Sequence, residues 1–71
     1  MSTPTTNQPR LIRLPEVIRR TSKSRSAIYA AMAKNEFPKQ VKLGPLSAAW
    51  VETEIDAWLA DMIAGRDSQA A

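Results

Sequence analysis

Lys23, Ser24, Arg25, Ser26 and Tyr29 crowd into "TSKSRSAIYAAMA" (residues 21–33), where a polar, cationic run gives way to an alanine-rich segment. If a helix begins there, its first turn exposes backbone N–H groups without partners and a partial positive charge. Hydroxyls and cations at such a place suit one chemistry above others, the holding of anionic oxygens. They suit catalysis poorly. The chain has no histidine and no cysteine, so the usual neutral-pH base, the thiol nucleophile and the soft metal ligand are missing. The seven carboxylates form no recognisable catalytic pair, and nothing around Tyr29 would activate its phenol. No enzymatic activity, no cofactor and no bound metal are expected.

The charge distribution points the same way. The formal charge is only +3, yet residues 1–42 hold nine of the ten cations and two carboxylates, a net +7. Residues 43–71 hold Arg66 against five carboxylates, a net −4. Such segregation is expected when one face meets a polyanion; accidental clustering of solvated charges is the alternative. A chain of 71 residues allows one domain, which buries only about 60% of its unfolded surface. With no disulfide or metal to staple it, the core must come from packing of Trp50, Trp58, Phe37 and the aliphatic residues. The absence of cysteine fits a cytosolic chain, and "MSTPTTNQPR" lacks the apolar stretch of a signal peptide. No apolar run approaches the roughly 18 residues that cross a bilayer, so no membrane association is expected.

The elements that must position the cationic run can be read from spacing. Residues 1–9 read as a disordered arm, 10–64 as the folded domain and 65–71 as a flexible tail. Pro15 at the first helical position, Glu16 beside it and Leu14, Val17 and Ile18 at i, i+3, i+4 predict a short helix over about 15–20. A second helix is predicted over about 25–34 with Ser24 as its N-cap. Its Ile28, Ala31 and Met32 share one face, while Ser26, Tyr29, Ala30 and Ala33 share the other. Pro38 prevents continuation, and residues 40–43 and 48–51 read as a hairpin with its tip at Gly44 to Ser47, longer than a two-residue turn. Trp50 is expected to pin that hairpin to the helices. The third helix has the clearest signal: Thr53 and Asp56 as a capping box, then Ile55, Trp58, Leu59 and Met62 as an apolar stripe, with Gly65 as the stop.

A short helix, a tight turn and a second helix with a cationic start describe a helix-turn-helix. The expected fold is mainly α with a small β-hairpin, a winged helix-turn-helix of three helices and a two-stranded wing. The expected DNA-binding residues are Lys23, Ser24, Arg25, Ser26, Tyr29, Lys34, Lys39, Lys42 and Ser47. Lys23 and Arg25 supply mobile cations, Ser24 and Ser26 hydroxyl donors, and Tyr29 can reach a phosphate, sugar or base edge. Small Ala30 and Ala33 let the helix sit close to a groove floor. On the wing, Lys39 and Lys42 can neutralise phosphates and Ser47 can bond one. Each has a plainer alternative: Ser24 as a cap only, Arg25 and Ser26 as solvated positions, Tyr29 half-buried against the hairpin, Lys39 and Lys42 as lysines that protect a strand edge.

The ordered combination of "LIRLPEVIRRT" (11–21), "SRSAIYAAMAKNEFP" (24–38) and "VKLGP…AAWVETEIDAWL" (41–59) resembles the AlpA family of small phage and genomic-island regulators. It is also similar to the related excisionases, whose fold is a winged helix like the MerR N-terminal domain. The resemblance runs from about Arg10 to Leu59. It implies sequence-specific binding of double-stranded DNA, either at an operator that controls an integrase gene or at attachment-site arms bent for excision. It further implies an integrase or additional copies on DNA as partners, and a place in the bacterial cytoplasm at the nucleoid. The chain departs from the family pattern in three places. Ser22 stands where the turn usually has glycine, Ala30 where a basic residue commonly follows the tyrosine, and Leu46 where the wing tip commonly has arginine. A different expectation is a protein-interaction module that docks an integrase through Leu46 or the acidic C-terminal helix, without touching DNA.

Overall fold

The computed structural model describes residues 10–70, with side chains described for residues 10–68. The expected arm over residues 1–9 lies outside them. In chain order the elements are β1 (Leu11–Ile12), α1 (Leu14–Thr21), α2 (Arg25–Ala33), β2 (Val41–Gly44), β3 (Ser47–Val51) and α3 (Glu52–Ala70). The fold is therefore mainly helical, as expected, but its sheet has three antiparallel strands in the order β1-β3-β2. β1 is a correction to the two-stranded reading. It is two residues long, too short for any alternation to show, and it exists because Leu11 and Ile12 pair with Val51 and Trp50.

α1 forms because Leu14, Val17 and Ile18 face the core. Pro15 sits where its missing N–H is one of the unpaired donors of a first turn. The helix ends on Ser22, whose N–H donates to the Ile18 carbonyl at 2.8 Å. Ser22 has φ 61° and ψ 16°, the left-handed region that favours glycine. Thr21 supports this turn: its hydroxyl donates to the Val17 carbonyl at 2.8 Å and accepts from the Lys23 N–H at 3.2 Å. Because the left-handed conformation costs a non-glycine residue about 1–2 kcal/mol, more than the roughly 0.5–1 kcal/mol that glycine loses in backbone entropy, Ser22→Gly should stabilise the domain by about 0.5–1 kcal/mol. The expected reading is a higher urea midpoint at unchanged slope.

α2 starts one residue after Ser24, whose side chain accepts the Ala27 N–H at 3.2 Å, so the predicted N-cap is in place. Ile28 and Ala31 are buried, whereas Ser26, Tyr29, Ala30 and Ala33 lie on the exposed face. The helix closes through Asn35, also left-handed at φ 60°, before the chain turns into Phe37 and Pro38.

The hairpin departs from its predicted tip. Gly44 pairs directly with Ser47, leaving a two-residue turn of Pro45 and Leu46. An irregularity between Lys42 and Gly44 absorbs the extra residue that made the loop look longer. Trp50, 1% exposed, does pin the hairpin: its indole N–H donates to the Pro38 carbonyl at 3.1 Å, and it packs with Ile12, Val17, Ile28, Phe37 and Ile55.

α3 differs from expectation at both ends. It begins at Glu52, straight from β3, so Thr53 lies within its first turn and is not the cap. The Glu52 N–H is already satisfied by the Arg10 carbonyl at 2.7 Å, and Asp56 accepts from Arg20 instead of closing a capping box. Gly65 does not stop the helix either, which continues to Ala70. A glycine ends a helix by turning left-handed, and Gly65 has no positive φ. The apolar stripe is real only in its first half. Ile55 is buried and Trp58 and Leu59 pack on the core, but Met62 is 52% exposed.

Candidate nucleic-acid interface

The start of α2 carries the predicted cluster on an open surface: Ser24, Arg25, Ser26 and Tyr29 are exposed and Lys23 is half-buried. The Ser24 cap uses only the acceptor side of its hydroxyl, so the O–H proton stays available to an anion. The Arg25 guanidinium lies over the Tyr29 ring, 5.6 Å from its centroid, which restricts the long side chain without neutralising it. Tyr29 in turn meets Trp50 edge-on, with centroids 6.5 Å apart and planes at 68°. Tyr29 is thus both packed against the hairpin and 37% exposed, so the two readings of it are compatible. The Lys23 ammonium lies 5.7 Å from the centroid of the Trp58 ring.

Between α2 and the hairpin lies a cleft of about 470 Å³ whose lining includes Arg13, Tyr29, Gln40, Lys42, Leu46 and Ser47. It brings Lys42 and Ser47 to the same surface as Tyr29. It also brings two residues that the sequence reading missed. Arg13, just before α1, donates to the Ala48 carbonyl at 3.3 Å and adds a cation to the cleft. The Gln40 Oε1 is buried with no hydrogen-bond partner among the described residues. Neither has a local signal, because only the tertiary fold sets the chain before α1 against the hairpin.

Two predicted residues fall elsewhere. Lys34 caps the far end of α2 from Arg25. Lys39 lines a different groove, together with Glu54 and Asp61. The charge segregation also needs refinement, since α1 and α3 partly neutralise each other. Arg20 donates to Glu16 at 2.7 Å, to Glu52 at 2.8 Å and to Asp56 at 3.4 Å, and Arg19 reaches Glu16 at 2.6 Å. Hydrogen bonds from Arg19 and Arg20 hold the Glu16 carboxyl below the usual carboxylate range, and Glu16 and Glu52 raise Arg20 above its ordinary value. These two arginines are therefore committed within the fold. The cations left facing outward on the α2–hairpin side are Arg13, Lys23, Arg25 and Lys42.

The chain belongs to the AlpA family: the family model described as Prophage CP4-57 regulatory protein (AlpA) matches residues 10–63. It is 47% identical over 66 residues to ORF88 of Enterobacteria phage P4, described as an uncharacterized protein, covering 93% of this chain and 75% of that one. It is 41% identical over 56 residues to a protein of Escherichia coli K12 described as the DNA-binding transcriptional activator AlpA, covering 70% and 80% of the two chains. No solved structure matches the chain. Among the described residues no helix is long and apolar enough to cross a membrane, and no group of acidic residues is placed to hold a metal ion.

Proposed function

We propose that this chain is a sequence-specific double-stranded DNA-binding regulator of a prophage or integrative element, acting in the bacterial cytoplasm by binding and not by catalysis. In this reading α1, the Ser22 turn and α2 act as a helix-turn-helix, and β2–β3 acts as its wing. The observation that carries it is the juxtaposition of the capped, cationic start of α2 with a cleft lined by Arg13 and Lys42, with Ala30 and Ala33 leaving the helix face low. Anionic oxygens are met by cations and by N–H groups at a helix start, and bases by Arg25, Tyr29 and Gln40. The Escherichia coli relative's description as a DNA-binding transcriptional activator supports the same reading.

At the finer level, the chain controls an integrase gene, directs excision at attachment-site arms, or does both, alone or with an integrase and further copies on the DNA. Footprinting on the element's integrase promoter and on its attachment arms tests this. Protection confined to the promoter marks a transcriptional regulator, and protection of the arms marks an excision factor. Absence of protection at both, even at low salt, would refute the proposal.

Leu46 offers a test of the wing. It is 99% exposed at the hairpin tip, so its replacement leaves the core alone. If the tip runs along the DNA backbone, Leu46→Arg adds a cation at the contact. The affinity should then rise severalfold and the salt slope should steepen by about one. An unchanged slope would place the tip off the DNA.

A further inference from the structure

Partner residues on an antiparallel pair share a face, so Lys42 and Ala48 look one way while Val41 and Ala49 look the other. On the Val41 side runs a second, open groove of about 840 Å³, sharing no lining residue with the first. Its apolar surface is made by Phe37, Val41, Val51, Trp58 and Met62. Phe37 and Trp58 meet edge-on at 4.9 Å, and the Trp58 indole N–H is fixed to the Glu36 carbonyl at 2.9 Å, so this wall is rigid. Val41 and Met62 remain 37% and 52% exposed, an apolar surface that the domain itself does not cover. The charged lining is Glu36, Glu54 and Asp61 against Lys39 alone. Glu54, Trp58, Asp61 and Met62 repeat along one face of α3, so carboxylates and apolar side chains alternate down the groove.

We propose that this groove docks a short segment of a partner protein that presents apolar anchors flanked by lysine or arginine. The sign of the lining selects the occupant. An excess of carboxylate repels nucleic acid and anionic lipid surfaces and attracts a basic peptide, while the apolar floor supplies pockets for its anchors. The Lys23 ammonium, 5.7 Å from the Trp58 centroid, already sets one cation of the chain itself beside this indole. The groove shares no lining residue with the Arg13–Lys42 cleft, and meets the α2 start only where Lys23 lies over the Trp58 ring. The site does not depend on the DNA-binding reading.

The test is a titration of the full, ¹⁵N-labelled chain with a capped amphipathic peptide carrying leucines at i, i+3, i+4, i+7 and lysines between them. A control peptide has the same leucines with glutamates. The lysine peptide should shift the amides of Val41, Ala57, Asp61 and Met62, and the glutamate peptide should not. The double variant Glu54→Gln, Asp61→Asn alters only exposed side chains, and it should weaken lysine-peptide binding at least fivefold while leaving duplex binding unchanged. Shifts outside the groove, equal affinity for the double variant, or concentration-dependent shifts of the same amides without peptide would each overturn the proposal. The last of these would assign the groove to a second copy.

Discussion

Trp50→Ala should abolish the cooperative melting transition of this domain. Trp50 is buried at the junction of β3 with both α1 and α2, donates its indole N–H to the Pro38 carbonyl and supports the ring of Tyr29. Truncating a buried tryptophan costs about 3–5 kcal/mol, through lost transfer energy and the cavity left behind. Domains this small rarely hold more than about 3–5 kcal/mol in a single core. The loss therefore matches the whole stability, and far-UV circular dichroism against urea should show no folded baseline. Trp50→Phe, which loses the hydrogen bond but fills most of the space, should retain a transition at a lower midpoint. A normal transition in the alanine variant would mean that the core is centred elsewhere.

Arg25→Ala should produce the largest loss of DNA affinity among single surface changes, about 1–3 kcal/mol if the guanidinium reads a base edge. The side chain is exposed and lies over the Tyr29 ring, so the fold should be intact by circular dichroism. The size and form of the effect separate two roles. A base contact relaxes discrimination at one position of the site. A phosphate contact weakens all sequences evenly and flattens the salt slope by about one. With about four cations engaged, Arg13, Lys23, Arg25 and Lys42, log K should fall against log salt with a slope of roughly −3 to −4. Lys39 is the internal control: it lies in the acidic groove with Glu54 and Asp61, and its loss should change neither affinity nor slope. Unaltered affinity in the Arg25 variant would remove this residue from the contact surface.

The helices were legible because apolar residues at three- and four-residue spacing report which face is buried. Val17, Ile28 and Ile55 are all fully buried, and the Ser24 cap stands where its hydroxyl and position placed it. What was not legible depended on partners remote in sequence. β1 is defined only by Trp50 and Val51, some forty residues on. Thr53 has the sequence of a cap, but the Glu52 N–H already has the Arg10 carbonyl, and Gly65 has the sequence of a stop but keeps helical geometry. The unusual Ser22 was visible as a departure from the family pattern, while its left-handed backbone was visible only in three dimensions. The candidate site divides in the same way. The α2 cluster is local and was read directly, whereas Arg13 and Gln40 join it by tertiary packing, and Lys39 is carried to the opposite face of the hairpin. Net charge by segment overstated the polarity, because Arg19 and Arg20 are held by carboxylates of α1 and α3.

The most direct test of the DNA-binding account is a chemical-shift titration of the labelled chain with a duplex taken from its own footprinted site. Amides of residues 23–29 should move most, with those around Lys42 and Ser47 following, and residues 54–62 of α3 should stay in place. Stationary resonances over 23–29 together with a response along α3 would contradict it.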